Sequence, residues 1–296
     1  MEHKREARLL PLNCFPGSVF HETIQTALLA YQATGVFPPD LIAIARRVAG
    51  EYIEFSKQWV ADVMAHPVLG GFHKYWIDHE FAQPIEAYYY DGDFQPGYRA
   101  QIKAKLERWF GRYTTLLPSL PFSSVDRSFW VFPKQVSKKA PWFVHKDEFA
   151  VYANFDFLTL QENKVTIYDW KTGRREKGEH SVAEQLTTYA AYAISKWGVK
   201  PEQIELYSVW VDDGSVQKVE CDQAEIERAE RRWSAVQRDW SERLKQVNGR
   251  AEKLYELFPM TQNSVTCTRC PFRSCPGRSR MPSGLVSANE MEFEDA

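Results

Sequence analysis

The sequence predicts an α/β fold, and three observations predict it. Segments rich in β-branched and aromatic residues cluster between residues 129 and 220, helical periodicity flanks them on both sides, and one capped helical segment interrupts them. At 296 residues, with 44% hydrophobic and 14% aromatic content, the chain can bury a sizeable core, so disorder is not its default.

The elements follow in order. Residues 18–34 read as a helix because Phe20, Ile24, Ala27, Leu28 and Tyr31 recur at three- and four-residue spacing, with Gly35 at the C-cap. Residues 39–65 continue in helical style and stop before Pro67, 68–97 have no clean period, and 98–113 are helical again. Pro118 and Pro121 close this mostly helical region. Residues 129–135, 148–159 and 165–170 then read as strands separated by polar breaks such as Gln161-Glu162-Asn163.

Ser181 with Glu184 forms a capping box ahead of a helix whose Leu186, Ala190, Ile194 and Trp197 make one apolar face, ended by Gly198. Residues 203–211 and 215–220 form a hairpin around Asp212-Asp213-Gly214. Asp222 with Glu225 caps a last long helix, with Ile226, Ala229, Trp233, Val236 and Trp240 as its buried stripe and Asn248-Gly249 as its end. A shorter helical piece, 250–258, leads into a cysteine cluster.

Lys and Arg number 37 against 39 Asp and Glu, a formal charge of -2. The surface is therefore not basic overall, and any grip on a polyanion has to come from a local basic channel or a bound cation. The longest apolar stretches, 26–31 and 41–45, fall far short of the ~20 residues of a membrane span. The charged start MEHKREARLL has no secretory pattern, so a soluble, cytoplasmic chain is expected.

In VYANFDFLTLQENKVTIYDWKTG, Asp156 falls on one expected strand and Asp169 and Lys171 end the next. Adjacent strands joined by a short turn return Asp169 close to Asp156, where two carboxylates can share one hard divalent cation. Lys171 points to the same side as Asp169, since side chains alternate along a strand. The grouping suits phosphodiester hydrolysis. A cation there can lower the pKa of bound water and polarise a phosphoryl oxygen, and a lysine can neutralise transition-state charge.

The strings ANFDFL, TIYDWKTG and QLTTYAAY resemble the motifs of the RecB and AddB nuclease domains and of the CRISPR-associated adaptation nucleases, within the PD-(D/E)XK superfamily. The resemblance implies the restriction-endonuclease-like core, a mixed central sheet flanked by helices, with Asp156, Asp169 and Lys171 catalytic. It matches the family's helical glutamine and tyrosine to Gln185 and Tyr189, which share one helix face and contact DNA or the active site. Where the family often has glycine two residues before the first aspartate, this chain has Asn154. GSVFHETIQ, residues 17–25, resembles the family's first motif and makes His21 a metal ligand. Mg2+ or Mn2+ is then expected at His21, Asp156, Asp169 and the backbone carbonyl of Trp170.

Five cysteines stand at 14, 221, 267, 270 and 275, and the close spacing of Cys267, Cys270 and Cys275 points to a metal rather than to disulfides. Thiolate ligation suits zinc or an iron-sulfur cluster, and spacing alone leaves both open. The resemblance implies a structural 4Fe-4S cluster held by these three and an N-terminal cysteine, here Cys14, with Cys221 as the competing fourth ligand. Residues 1–120 then form a mostly helical region carrying His21, 121–249 the nuclease core, 250–282 the cysteine-cluster region and 283–296 a flexible acidic tail.

The expected function is metal-dependent hydrolysis of DNA by an exonuclease acting on ends or single strands. The alternative is a catalytically silent DNA-binding or assembly subunit of a helicase-nuclease, CRISPR or phage-defence complex. No Gly-x4-Gly-Lys-Ser/Thr loop occurs, so unwinding would need a helicase or other repair or defence subunit as partner. Arg174, Arg175 and Lys177, and Lys134, Lys138 and Lys139, are candidates to track phosphates. Tyr88, Tyr89 and Tyr90 read as packed on their own helices or, less simply, as stacking platforms for bases.

Overall fold

In a computed structural model, which describes residues 9–65, 83–136, 142–145, 149–173, 175–247 and 257, the helices come first, as their periodicity dictates. Helix α1 (Phe15–Thr34) buries Phe20, Ile24, Ala27 and Leu28 along one stripe. Gly35 ends it at a φ of 76°, a left-handed turn that glycine adopts without strain, and donates its N–H to the Tyr31 carbonyl at 2.9 Å. Helix α2 (Leu41–Ala65) and the one-turn α3 (Glu86–Tyr90) follow. Helix α4 (Tyr98–Leu116) buries Ile102, Leu106, Trp109, Phe110 and Tyr113, again at helical spacing. Helices α1 and α4 meet through Phe20, stacked on Phe110 at 5.3 Å and edge-on to Trp109 and Tyr113.

The main sheet has five strands: β1 (Trp130–Val131), β4 (Phe157–Gln161), β5 (Lys164–Lys171), β6 (Ile204–Trp210) and β7 (Ser215–Val219), side by side in that order. Only β5 and β6 run parallel, and the remaining neighbours are antiparallel. Such a parallel pair needs a long crossover, supplied by helix α6 (Arg175–Trp197) after the short α5 (Pro133–Val136). This is the helix-flanked mixed sheet that the sequence predicts.

Strand β5 is buried on both faces, and its alternation divides them. Val165 and Ile167 join Leu186, Tyr189 and Ala190 of α6 in one core. Tyr168 and Trp170 face an aromatic layer containing Phe122 and Phe157, and Tyr113 stands edge-on to Trp170 at 5.5 Å. Outside this sheet, β2 (Trp142–Val144) and β3 (Ala150–Tyr152) pair as a two-stranded ribbon, and Phe143 turns toward Tyr192 and Trp233.

Several expected boundaries are corrected. The strand expected over 129–135 shrinks to Trp130–Val131, because a 3-10 turn (Arg127–Phe129) precedes it and the Pro133 helix follows. The strand expected over 148–159 is two strands in different sheets, so Asp156 lies in the link before β4 rather than on a strand. Helix α6 starts at Arg175, which puts Ser181 inside it instead of at its cap. Helix α7 (Gln223–Val247) does start where Asp222 accepts the Glu225 N–H at 2.8 Å, yet only the first half of its expected stripe is covered. Ile226 and Ala229 are buried, whereas Val236 and Trp240 are each 52% exposed.

The chain divides into two units, one of residues 1–17, 49–99 and 242–296, the other of 18–48 and 100–241. In the first, Leu9 packs with Trp59 and Val63, and Tyr89 lies against Trp59. Tyr88 is buried and packs on Phe94, so this tyrosine cluster serves its own local core. The second holds the sheet and every residue of the site below. Among the described residues no helix is long and apolar enough to cross a membrane.

Candidate active site

The six candidate side chains arrive from four places in the fold, and the end of β5 gathers them. His21 follows Phe20 on α1, Asp156 ends the link between β3 and β4, Asp169 and Lys171 close β5, and Gln185 and Tyr189 share a face of α6. The imidazole Nδ1 of His21 lies 2.8 Å from Asp156 Oδ1, and the backbone N–H of Trp170 donates to Asp156 Oδ2 at 2.7 Å. Both oxygens of Asp156 are thereby oriented, one by a helix and one by the strand that carries the other two groups.

From Lys171 a second chain of contacts leads back to the same link. Its Nζ stands 2.6 Å from Asp169 Oδ2 and donates to Gln185 Oε1 at 2.5 Å. Gln185 Nε2 donates to the Tyr189 hydroxyl, which donates in turn to the Asn154 carbonyl at 2.8 Å. Asn154 is two residues before Asp156, so the α6 pair ties Lys171 to the backbone that presents the first carboxylate. The sequence gives no hint of this role for Asn154, because the contact uses its main chain and any residue supplies a carbonyl.

The electrostatics are strained around Asp169. It is almost wholly buried, with the Lys171 ammonium 2.6 Å from its Oδ2 as ionic partner. Burial first, and then the charge of Asp156, push its carboxyl up to about 6, while Lys171 and His21 act the other way. For His21, burial pulls downward, but the charge and hydrogen bond of Asp156, helped by Asp169, prevail and leave its pKa raised.

A divalent cation fits this donor set. An imidazole nitrogen, carboxylates and a backbone carbonyl such as that of Trp170 are donors of the kind a hard ion takes, and its charge would favour the ionised form of the buried Asp169. Among the described residues, however, no three His, Cys, Asp or Glu side chains are spaced as a ready metal site. In the contacts described, His21 is paired directly with Asp156, and the Lys171 ammonium stands beside Asp169.

The cysteines divide differently. Cys221 is partly buried against the core around α6, its Sγ 4.0 Å from Thr187 Oγ1, and burial pushes its thiol up to about 11, opposite to what a ligating thiolate needs. Cys14 is exposed, near the Asn13 side chain. Cys267, Cys270 and Cys275 lie outside the described residues, as do Arg174, Lys138, Lys139, the expected helix over 250–256 and the acidic tail. Nothing is described of the Lys134 and Lys177 side chains, and Arg175 opens α6.

Comparison with known proteins adds one finding: the family model of the PD-(D/E)XK nuclease superfamily matches residues 16–276. No curated protein and no solved structure matches. The match spans most of the chain and takes in α1, the sheet and α6, so the chain belongs to the PD-(D/E)XK nuclease superfamily, a family of nucleases that typically use Mg2+ or Mn2+.

Proposed function

We propose that this protein is a metal-dependent deoxyribonuclease that acts as an exonuclease on DNA ends or single strands. The observation that carries the reading is the convergence of Asp156, Asp169 and Lys171, with Asp169 almost wholly buried. Gathering two carboxylates and an ammonium largely out of water carries a desolvation cost, and apolar side chains would fill a purely structural role as well or better.

His21, Asp156, Asp169 and the Trp170 carbonyl would hold Mg2+ or Mn2+. When bound, the ion supplies a water of lowered pKa and a Lewis acid for the phosphoryl oxygen. The protein's own groups do the rest. Trp170 N–H and His21 orient Asp156, and the Lys171 ammonium, held beside Asp169, would donate to the phosphate oxygen on which charge develops. Gln185 holds the lysine head, and Tyr189 holds Gln185, so both act by positioning.

The cysteines are assigned on weaker ground, the spacing and the resemblance. In this reading Cys14, Cys267, Cys270 and Cys275 bind a structural 4Fe-4S cluster, zinc being the alternative, and the raised Cys221 thiol supports leaving it out. A brown protein with a charge-transfer band near 400 nm, the roughly expected position for thiolate on iron, separates iron from zinc.

The decisive experiment is cleavage of end-labelled single- and double-stranded DNA with Mn2+, wild type against Lys171→Ala. Loss of labelled ends stepwise in the wild type alone supports the exonuclease. Cleavage of closed circles would make it an endonuclease. DNA binding without cleavage, indifferent to chelators and to Asp156→Ala, would replace the reading with a silent binding subunit.

A further inference from the structure

A concentration of positive charge that the sequence does not announce lies on helix α4. Lys105, Arg108 and Arg112 are three and four residues apart and share one face of it. Both arginines reach the same oxygen, Asp212 Oδ1, at 3.3 and 3.9 Å, and the Trp109 indole N–H donates to it at 2.9 Å. Lys105 Nζ lies over the ring of that tryptophan, 4.9 Å from its centroid. Three cations thus gather around one indole and one carboxylate. The two acids nearest in the chain are engaged elsewhere: Asp213 accepts the Ser215 N–H and hydroxyl within its own turn, and Glu107 pairs with Lys103 at 3.7 Å.

Asp212 ties this cluster to the end of the sheet that holds the site. Lys171 pairs in register with Trp210, the last residue of β6, and the Val211 N–H donates to the Lys171 carbonyl at 2.9 Å. Asp212 is the next residue. On the other side, Trp109 meets Phe20, the neighbour of His21 in the chain, at 5.8 Å. Helix α4 packs on the aromatic face of β5, through Tyr113 and Trp170, whereas Lys171 reaches Gln185 of α6 on the opposite face. The cluster therefore flanks the candidate site at the same end of the sheet and is not placed to join its chemistry.

A structural task accounts for little of it. The indole bond already docks the turn on α4, and the arginine side chains are 47% and 42% exposed, a setting in which ion pairs add little stability. In a chain with a formal charge of -2, polyanions are held only where cations are concentrated, and a guanidinium fork matches phosphate oxygens. We propose that Lys105, Arg108 and Arg112 form a backbone-binding surface that takes phosphates of the DNA strand flanking the one cleaved. The choice of DNA as partner rests on the nuclease reading above. A phosphate there takes over the guanidinium contacts that Asp212 now holds, so Asp212 acts as a competitor that limits affinity.

The test is fluorescence anisotropy of a labelled single-stranded oligonucleotide across a salt series, with EDTA present so that metal-dependent cleavage does not intervene. Arg108→Gln combined with Arg112→Gln should weaken binding about tenfold and make the slope of log affinity against log salt shallower by about 1.4, the value for two single-strand phosphate contacts. The loss should be alike for two unrelated sequences, since phosphates carry no sequence information. Asp212→Asn, which keeps an acceptor for the indole, should tighten binding about two- to fivefold. Unchanged affinity and slope in the double variant overturn the inference, as does a wild type that does not bind. Should the double variant fail to fold, Asp212→Asn decides, because arginines that only dock the turn predict a lower Tm with no tighter binding. Cleavage with Mn2+ separates the two levels. Wild-type cleavage with binding indifferent to the arginines fails only this surface, and arginine-dependent binding without cleavage fails only the nuclease reading.

Discussion

The backbone N–H of Trp170 donates to Asp156 Oδ2 at 2.7 Å, so the strand that carries Asp169 and Lys171 also sets the orientation of the first aspartate. The three groups are positioned by one short stretch of chain. Changes there should separate chemistry from folding cleanly.

Lys171→Ala should lower cleavage by at least about a hundredfold while the far-UV CD spectrum stays that of the wild type, since the side chain is partly exposed and its stem adds little to the core. Asp169→Asn should be equally inactive. Without metal it should melt higher than the wild type, because it removes a buried charge that Lys171 only partly balances. Equal cleavage rates for either variant would exclude a catalytic role.

The raised carboxyl of Asp169 has a consequence for pH. A group that holds its proton more tightly when folded adds stability below its unfolded pKa of 3.8 and loses that contribution as pH rises through about 6. In the metal-free protein, the stability of wild type relative to Asp169→Asn should therefore fall between pH 4 and 7, by on the order of 1–3 kcal/mol. The raised His21 acts with the same sign at higher pH, and since Asp169 contributes to that rise, Asp169→Asn removes part of it as well. Denaturant midpoints across this range measure the difference, and a flat profile would contradict the assignment.

Tyr189→Phe cuts the chain from Lys171 to Asn154 at its centre. It should cost about 1–2 kcal/mol of stability and reduce kcat about tenfold with little change in KM, because the groups touching substrate remain and only their placement loosens. Gln185→Ala combined with it should add little further loss, the mark of residues that act as one unit. Full additivity in the double variant would show that the two work independently.

Gly35→Ala tests the end of α1. The backbone there has a φ of 76°, and an added Cβ would come within 2.8 Å of the Arg127 guanidinium, which donates to the Tyr31 carbonyl at 2.7 Å and lies over the Tyr31 ring. Thermal unfolding should reveal a loss of about 1–2 kcal/mol, from the strained turn and the displaced arginine together.

Much of this was legible beforehand, for identifiable reasons. The stripe of Phe20, Ile24, Ala27 and Leu28 and the Asp222–Glu225 cap are local signals, and β5 with its Asp-Trp-Lys ending is rich in β-branched and aromatic residues without a glycine or proline. The break at 153–156 was not legible, because Ala-Asn-Phe has the composition of a strand and only tertiary pairing sends β3 and β4 to different sheets. The early start of α6 was hidden for the opposite reason, a convincing cap at Ser181 that the helix runs through.

The alternation along β5 also bears on how such a chain can change over time. Asp169 and Lys171 face α6, while Trp170 between them is locked into an aromatic layer with Tyr113 and Phe122. Inserting or deleting one residue in this strand would swing the indole toward the carboxylates and drive an aspartate and a lysine into packed rings. Intermediate arrangements are closed to it. Drift in this part of the protein can proceed by substitution but not by indels, and a designer who wishes to move the site must move the whole strand with it.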